Sequence, residues 1–151
     1  MAGTARESAV AEGGKVRFRL LRDDPEPPCP DGSACRIGLQ DAKGGMHDGT
    51  LRPDGRLQFD FALTVKEGPD PDRPVFTGPF ASGPREETFV YLSWQRLGGG
   101  SYVNRVKARL ADLDWPLVRA AQAAGKPLEA DLSGRKPGGG RVPIQWRVAR
   151  D

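Results

Sequence analysis

An all-β fold carrying one packed helix is what this chain predicts, and three observations support it. Apolar and polar residues alternate strictly in several short runs, glycine–proline corners punctuate those runs, and only one segment has helical spacing. The stretch from Val75 to Trp115 is the densest. It holds the corners Gly78-Pro79 and Gly83-Pro84, the aromatic run Phe89-Val-Tyr-Leu-Ser-Trp94, and a basic run ending at Arg109. With 20 glycines and 14 prolines among 151 residues, composition alone would also allow low complexity. The period-2 runs argue instead for one folded domain of many short strands and short connections. A chain of this length buries about 70% of its unfolded surface without staples.

Taken in order, residues 1–14 read as a flexible polar lead, and 15–151 as a single β-rich domain. Lys15–Leu21 alternates, with Val16, Phe18 and Leu20 on one face and Lys15, Arg17 and Arg19 on the other. A proline-rich loop leads to a short strand, Ala34–Gln40. Asp54-Gly55 is a hairpin signal, followed by an alternating run to Lys66 that buries Leu57, Phe59, Phe61, Leu63 and Val65. Val75–Ala81 reads as a short or bent strand, because Pro79 has no N–H to donate to a ladder. Thr88–Gln95 has aromatics on both faces, which suits a central strand. The triplet Gly98-Gly99-Gly100 then turns the chain into Tyr102–Leu110. The helix is Trp115–Ala124: Asp114 stands at the N-cap, Pro116 in the first turn and Gly125 just past the end. Leu117, Val118, Ala121 and Ala124 form its apolar stripe. Leu128–Leu132 and Ile144–Ala149 complete about eight mostly antiparallel strands, arranged as a barrel or closed sandwich.

The run Phe76-Thr-Gly-Pro-Phe80, the run Phe89-Val-Tyr-Leu-Ser-Trp94 and Arg105-Val-Lys107 together resemble a bacterial family of uncharacterised small proteins, the domain-of-unknown-function family numbered 5990. The resemblance extends to the opening basic strand, to Gly38-Leu39-Gln40, and to the late helix followed by Leu128-Glu129-Ala130. It covers nearly the whole chain beyond the lead. The sequence departs from the family after Gly140, where Arg141-Val142-Pro143 stands in place of a cysteine-containing segment. The resemblance implies boundaries and fold; it brings no activity and no catalytic residue.

Charge and cysteines narrow the function classes. Residues 1–100 hold 13 basic and 15 acidic side chains, and residues 101–151 hold 10 and 5, so positive charge gathers in the last third. No run reaches the ~18–20 apolar residues of a membrane span, and the N-terminus lacks the apolar core of a secretory signal. A cytoplasmic protein with reduced cysteines is the expectation. Cys29, Cys35 and His47 lack both the spacing and the fourth ligand of a zinc site, so no metal and no cofactor is expected. The glycine loops open no helix and have no Walker spacing, which argues against a phosphate cradle.

The leading functional reading is a non-catalytic module that binds a small apolar or amphipathic molecule or a protein partner, as a monomer or homodimer. Its motivation is the aromatic set Phe18, Phe59, Phe61, Phe89, Tyr91, Trp94 and Trp146 on alternating strands. Candidate ligand contacts are Phe59, Phe61, Tyr91, Trp94, Tyr102 and Arg105. An enzyme is the alternative, with Asp60, Tyr91 and Arg105 at a barrel mouth in acid–base and anion-holding roles; the plainer account of Asp60 is a cross-strand pair with Arg17 or Arg19. A basic single-strand nucleic-acid binder ranks third. Tyr102, Arg105, Lys107 and Arg109 favour it, but Phe89, Tyr91 and Trp94 read as core.

Overall fold

The computed structural model describes residues 14–23, 34–66, 74–97, 102–135 and 142–150. Their elements, in chain order, are β1 (Gly14–Asp23), β2 (Cys35–Gln40), β3 (Met46–His47), β4 (Thr50–Leu51), β5 (Arg56–Lys66), β6 (Val75–Thr77), β7 (Gly83–Pro84), β8 (Phe89–Arg96), β9 (Tyr102–Arg109), α1 (Trp115–Ala124), β10 (Leu128–Asp131) and β11 (Arg147–Val148). Two single 3-10 turns, Arg85–Glu87 and Leu110–Asp112, precede β8 and α1. The all-β class with one helix is what the alternation predicts. Every expected strand is present, and β3, β4 and β7 are added as two-residue strands too short to display a period.

The strands form two sheets. The larger runs β11-β10-β1-β5-β6-β7 with β4 also on β5, and the smaller runs β3-β2-β8-β9. Most pairs are antiparallel, but β1 and β10 are parallel, and α1 lies on the connection that returns the chain to β10. The barrel expectation is corrected here: the sheets do not close on each other. A physical reason is visible at one end of the larger sheet, where β7 contains Pro84, which cannot donate to a further ladder. The corner before it requires glycine: Gly83 sits at φ +143°, and a Cβ there would lie 2.6 Å from Thr88 Oγ1.

One apolar cluster joins the inward faces of both sheets. Val16, Phe18 and Leu20 of β1 lie opposite Leu63, Phe61 and Phe59 of β5, and all six are buried. Phe18 stacks on Phe61 with centroids 5.0 Å apart and meets Trp146 edge-on at 5.5 Å. From the smaller sheet come Ile37, Leu39, Val90, Leu92, Trp94, Val106 and Ala108. Alternation breaks at the end of β1. There Arg22 is buried, donates to the carbonyls of Leu132 (2.7 Å) and Arg135 (2.5 Å), and places its guanidinium 5.2 Å from the Trp94 ring centre.

Helix α1 begins and ends where the sequence places it. Gly125 takes the left-handed conformation at φ 66° and closes the C-terminus through the Ala121 and Gln122 carbonyls. Asp114 occupies the N-cap position without a side-chain cap hydrogen bond. Val118 and Ala121 are buried, Leu117 is half-buried and Ala124 is exposed, so the stripe is narrower than expected. No helix among the described residues is long and apolar enough to cross a membrane. Cys35 is disulfide-bonded, so the expectation of reduced cysteines does not hold for it; Cys29 lies outside the described residues.

Candidate functional site

The outer face of the smaller sheet gathers the chemistry. On β8 the inward residues are Val90, Leu92 and Trp94, which leaves Phe89, Tyr91 and Gln95 on the outer face, where Ser93 is fully covered. Opposite them on β9, Phe89 pairs with Arg109, Tyr91 with Lys107 and Ser93 with Arg105. Arg105 and Lys107 are exposed, while Phe89 and Tyr91 are half-buried. The Arg105 guanidinium stands 5.0 Å from the Tyr91 ring centre and the Lys107 ammonium 4.8 Å from that of Phe89. The two rings meet edge-on at 5.3 Å. This corrects the expectation that Phe89 and Tyr91 belong to the core. Both parities of β8 are apolar, and the β9 register decides which parity faces inward.

On the other side of β8, β2 contributes Gln40, whose Oε1 accepts a 2.6 Å hydrogen bond from the fully buried Ser93 hydroxyl. A cleft of about 270 Å³ adjoins Phe89 and Tyr91 here, with Gln40, Asp41, Phe80 and Glu87 among its walls. Asp41 is fixed as a turn former, its Oδ1 accepting from the N–H groups of Lys43 (2.9 Å) and Gly45 (2.8 Å). Its Oδ2 lies 2.9 Å from His47 Nε2, and the His47 ring packs edge-on to Phe80 at 4.9 Å. The hydrogen bond from His47, then those from the Gly45 and Lys43 amides, hold the Asp41 carboxyl below its ordinary value. Sequence reasoning did not single out Asp41, Phe80 or Gln40 for the site. The signal was an aspartate six positions before the sole histidine across a glycine turn, which is weak without a structure.

A carboxyl with a lowered folded pKa supports the fold fully above its unfolded value of 3.8 and loses that support as pH falls through the lower folded value. The turn from Asp41 to His47 is therefore expected to stay closed through the ordinary carboxylate range and to open only below it. Carboxyl carbon shifts followed by NMR check this, and an Asp41 midpoint at or above 3.8 contradicts it.

The remaining candidates separate. Asp60 lies on the outer face of the larger sheet, opposite Arg19 in the register, with Arg19 Nε 3.2 Å from its Oδ1 and its side chain 56% exposed. Tyr91 and Arg105 are together on the smaller sheet, so Asp60 does not share a site with them. Phe59, Phe61 and Trp94 are core residues, the last of them 3% exposed. Tyr102 pairs with Gln95 along the backbone, and its side chain lies outside what is described. A second cleft, of about 250 Å³, lies between β1 and the end of α1, beside Lys15, Arg17, Gln122 and Lys126. Three of its side chains donate locally, Arg17 to the Gly125 carbonyl, Lys126 to that of Arg150 and Gln122 to that of Lys15, while Gln122 Oε1 is buried without a hydrogen-bond partner among the described residues.

No curated protein and no solved structure matches the chain. The model of a family of unknown function, DUF5990, matches residues 16–149. The chain belongs to that family, as the Gly-Pro and Phe-Val-Tyr-Leu-Ser-Trp elements suggest.

Proposed function

We propose that this member of a family without an assigned function is a non-catalytic binding module, and that its binding surface is the outer face of the β3-β2-β8-β9 sheet together with the adjoining cleft. Its ligand combines a flat ring with a negative group. One observation carries this: Phe89 and Tyr91 stand half-open on that face, directly beneath Lys107 and Arg105. A ring laid on either aromatic keeps its charged end beside a cation, and the two contacts reinforce each other. The interior is a poorer location for a ligand, because Phe18, Phe59, Phe61, Trp94 and Trp146 are packed within the apolar cluster.

The test uses 2-naphthalenesulfonate, a planar anion with no other functional group, titrated into the labelled protein and followed by amide shifts. Expected are shifts concentrated in Phe89–Gln95 and Arg105–Arg109 that disappear in the Tyr91→Ala/Arg105→Ala double variant. Shifts centred instead on Lys15, Gln122 and Lys126, or no shifts at millimolar ligand, reject this face as the site.

A further inference from the structure

We infer that the natural ligand of this face is a single-stranded nucleic acid, with phosphates running along β9 and bases lying on β8. This deepens the reading above and rests on it. The face is graded from edge to centre. Its edge strand, β9, turns Arg105, Lys107 and Arg109 outward at every second residue, a line of cations ~7 Å apart. Next inward, β8 carries the Tyr91 and Phe89 rings. Beside them opens the cleft, with Gln40 of β2, Asp41 and the Glu87 carboxylate of the turn before β8 in its walls.

That order matches a nucleotide laid across the strands. The phosphate meets the cations, the base stacks on an aromatic ring, and the base edge reaches the carboxylates. Arg105 sits 5.0 Å from the Tyr91 ring centre, so a base stacking on that ring lifts the guanidinium outward and lies between the two planes, a recurrent arrangement for unpaired bases. The cleft, about 270 Å³, exceeds the ~150 Å³ cavity that holds benzene. Carboxylates accept from exocyclic amino groups, so the cleft favours cytosine or adenine over uracil.

A duplex does not fit, because its bases are stacked on one another and a flat sheet enters neither groove. An acidic peptide would satisfy the cations but would bring its carboxylates toward Asp41 and Glu87.

The experiment measures fluorescence anisotropy of a labelled oligocytidylate of about twelve nucleotides, a length within known single-strand site sizes. Affinity is expected to fall between about 50 and 200 mM salt, with a slope of about −2 for three phosphate contacts. Phe89→Ala and Tyr91→Ala are each expected to weaken binding about tenfold. Lys107→Glu, at an exposed strand position that leaves the core intact, is expected to abolish binding at the higher salt. Oligouridylate is expected to bind several-fold more weakly.

Equal affinity for an abasic phosphate polymer or for polyglutamate overturns the proposal, because charge alone would then suffice. If oligocytidylate and oligodeoxycytidylate both fail while naphthalenesulfonate still shifts Phe89–Gln95, a nucleic acid is rejected and the binding face stands. If naphthalenesulfonate fails as well, the face itself is rejected.

Discussion

Phe18→Ala is expected to lower the unfolding free energy by about 3–5 kcal/mol, the range for an aromatic side chain removed from a packed core. Phe18 is fully buried. It stacks on Phe61 across the antiparallel β1–β5 pair and lies opposite Leu128 in the parallel β1–β10 pair. It also meets Phe76 and Trp146 edge-on at 6.3 Å and 5.5 Å. One side chain therefore holds the larger sheet to its neighbours on both sides, and truncation leaves a cavity that the flanking rings cannot fill without leaving their rotamers. Since a domain has about 5–15 kcal/mol in total, such a loss removes a large fraction of the stability. Phe89→Ala provides the contrast: its ring is half-open, and about 1 kcal/mol is expected. Urea melts of both variants check the pair. A Phe18→Ala loss no greater than that of Phe89→Ala contradicts the assignment of Phe18 to the core and Phe89 to the face.

That contrast also marks where the sequence is legible. Alternation works wherever one parity is polar. Val16, Phe18 and Leu20 are buried while Lys15 and Arg17 are exposed, because a one-residue slip would put lysine and arginine into the core. Phe89-Val-Tyr-Leu-Ser-Trp94 carries apolar residues on both parities, so its own pattern cannot choose a face. Its neighbour makes the choice. β9 alternates Arg105, Val106, Lys107, Ala108 and Arg109, and the register sets Val106 against Leu92 and Lys107 against Tyr91. Read together with β9, the face was recoverable from the sequence; read strand by strand, it was not. The Asp41–His47 contact was not recoverable, since it depends on a glycine turn whose geometry has no periodic signature. The absence of barrel closure was equally hidden, because it depends on how the sheet ends rather than on how strands alternate.

The position of Asp60 leads to the second large effect. It is one of two exposed ends of a charge ladder that crosses four strands of the larger sheet: Arg147 on β11, Glu129 on β10, Arg19 on β1 and Asp60 on β5, each beside its neighbour in the register. The signs alternate along the row. Glu129 is its buried member, 6% exposed, with Oε1 accepting from Arg147 Nη2 at 2.7 Å and Nε at 2.9 Å, and Oε2 lying 3.7 Å from Arg19 Nη1. Glu129→Ala removes the buried carboxylate between the two guanidinium groups, while Arg19 keeps Asp60, and a loss of about 3 kcal/mol is expected from breaking a buried pair on one side. Asp60→Asn, at the 56% exposed end, is expected to cost no more than about 1 kcal/mol. Glu129→Gln keeps an acceptor for Arg147 and should fall between them. Denaturant melts rank the three variants, and a double-mutant cycle on Glu129 and Arg147 isolates their coupling. If Asp60→Asn proved as damaging as Glu129→Ala, burial would not be what sets the strength of the ladder. The predicted ranking makes Asp60 a solvated end of a structural row on the larger sheet, on a different sheet from the binding face formed by Tyr91 and Arg105.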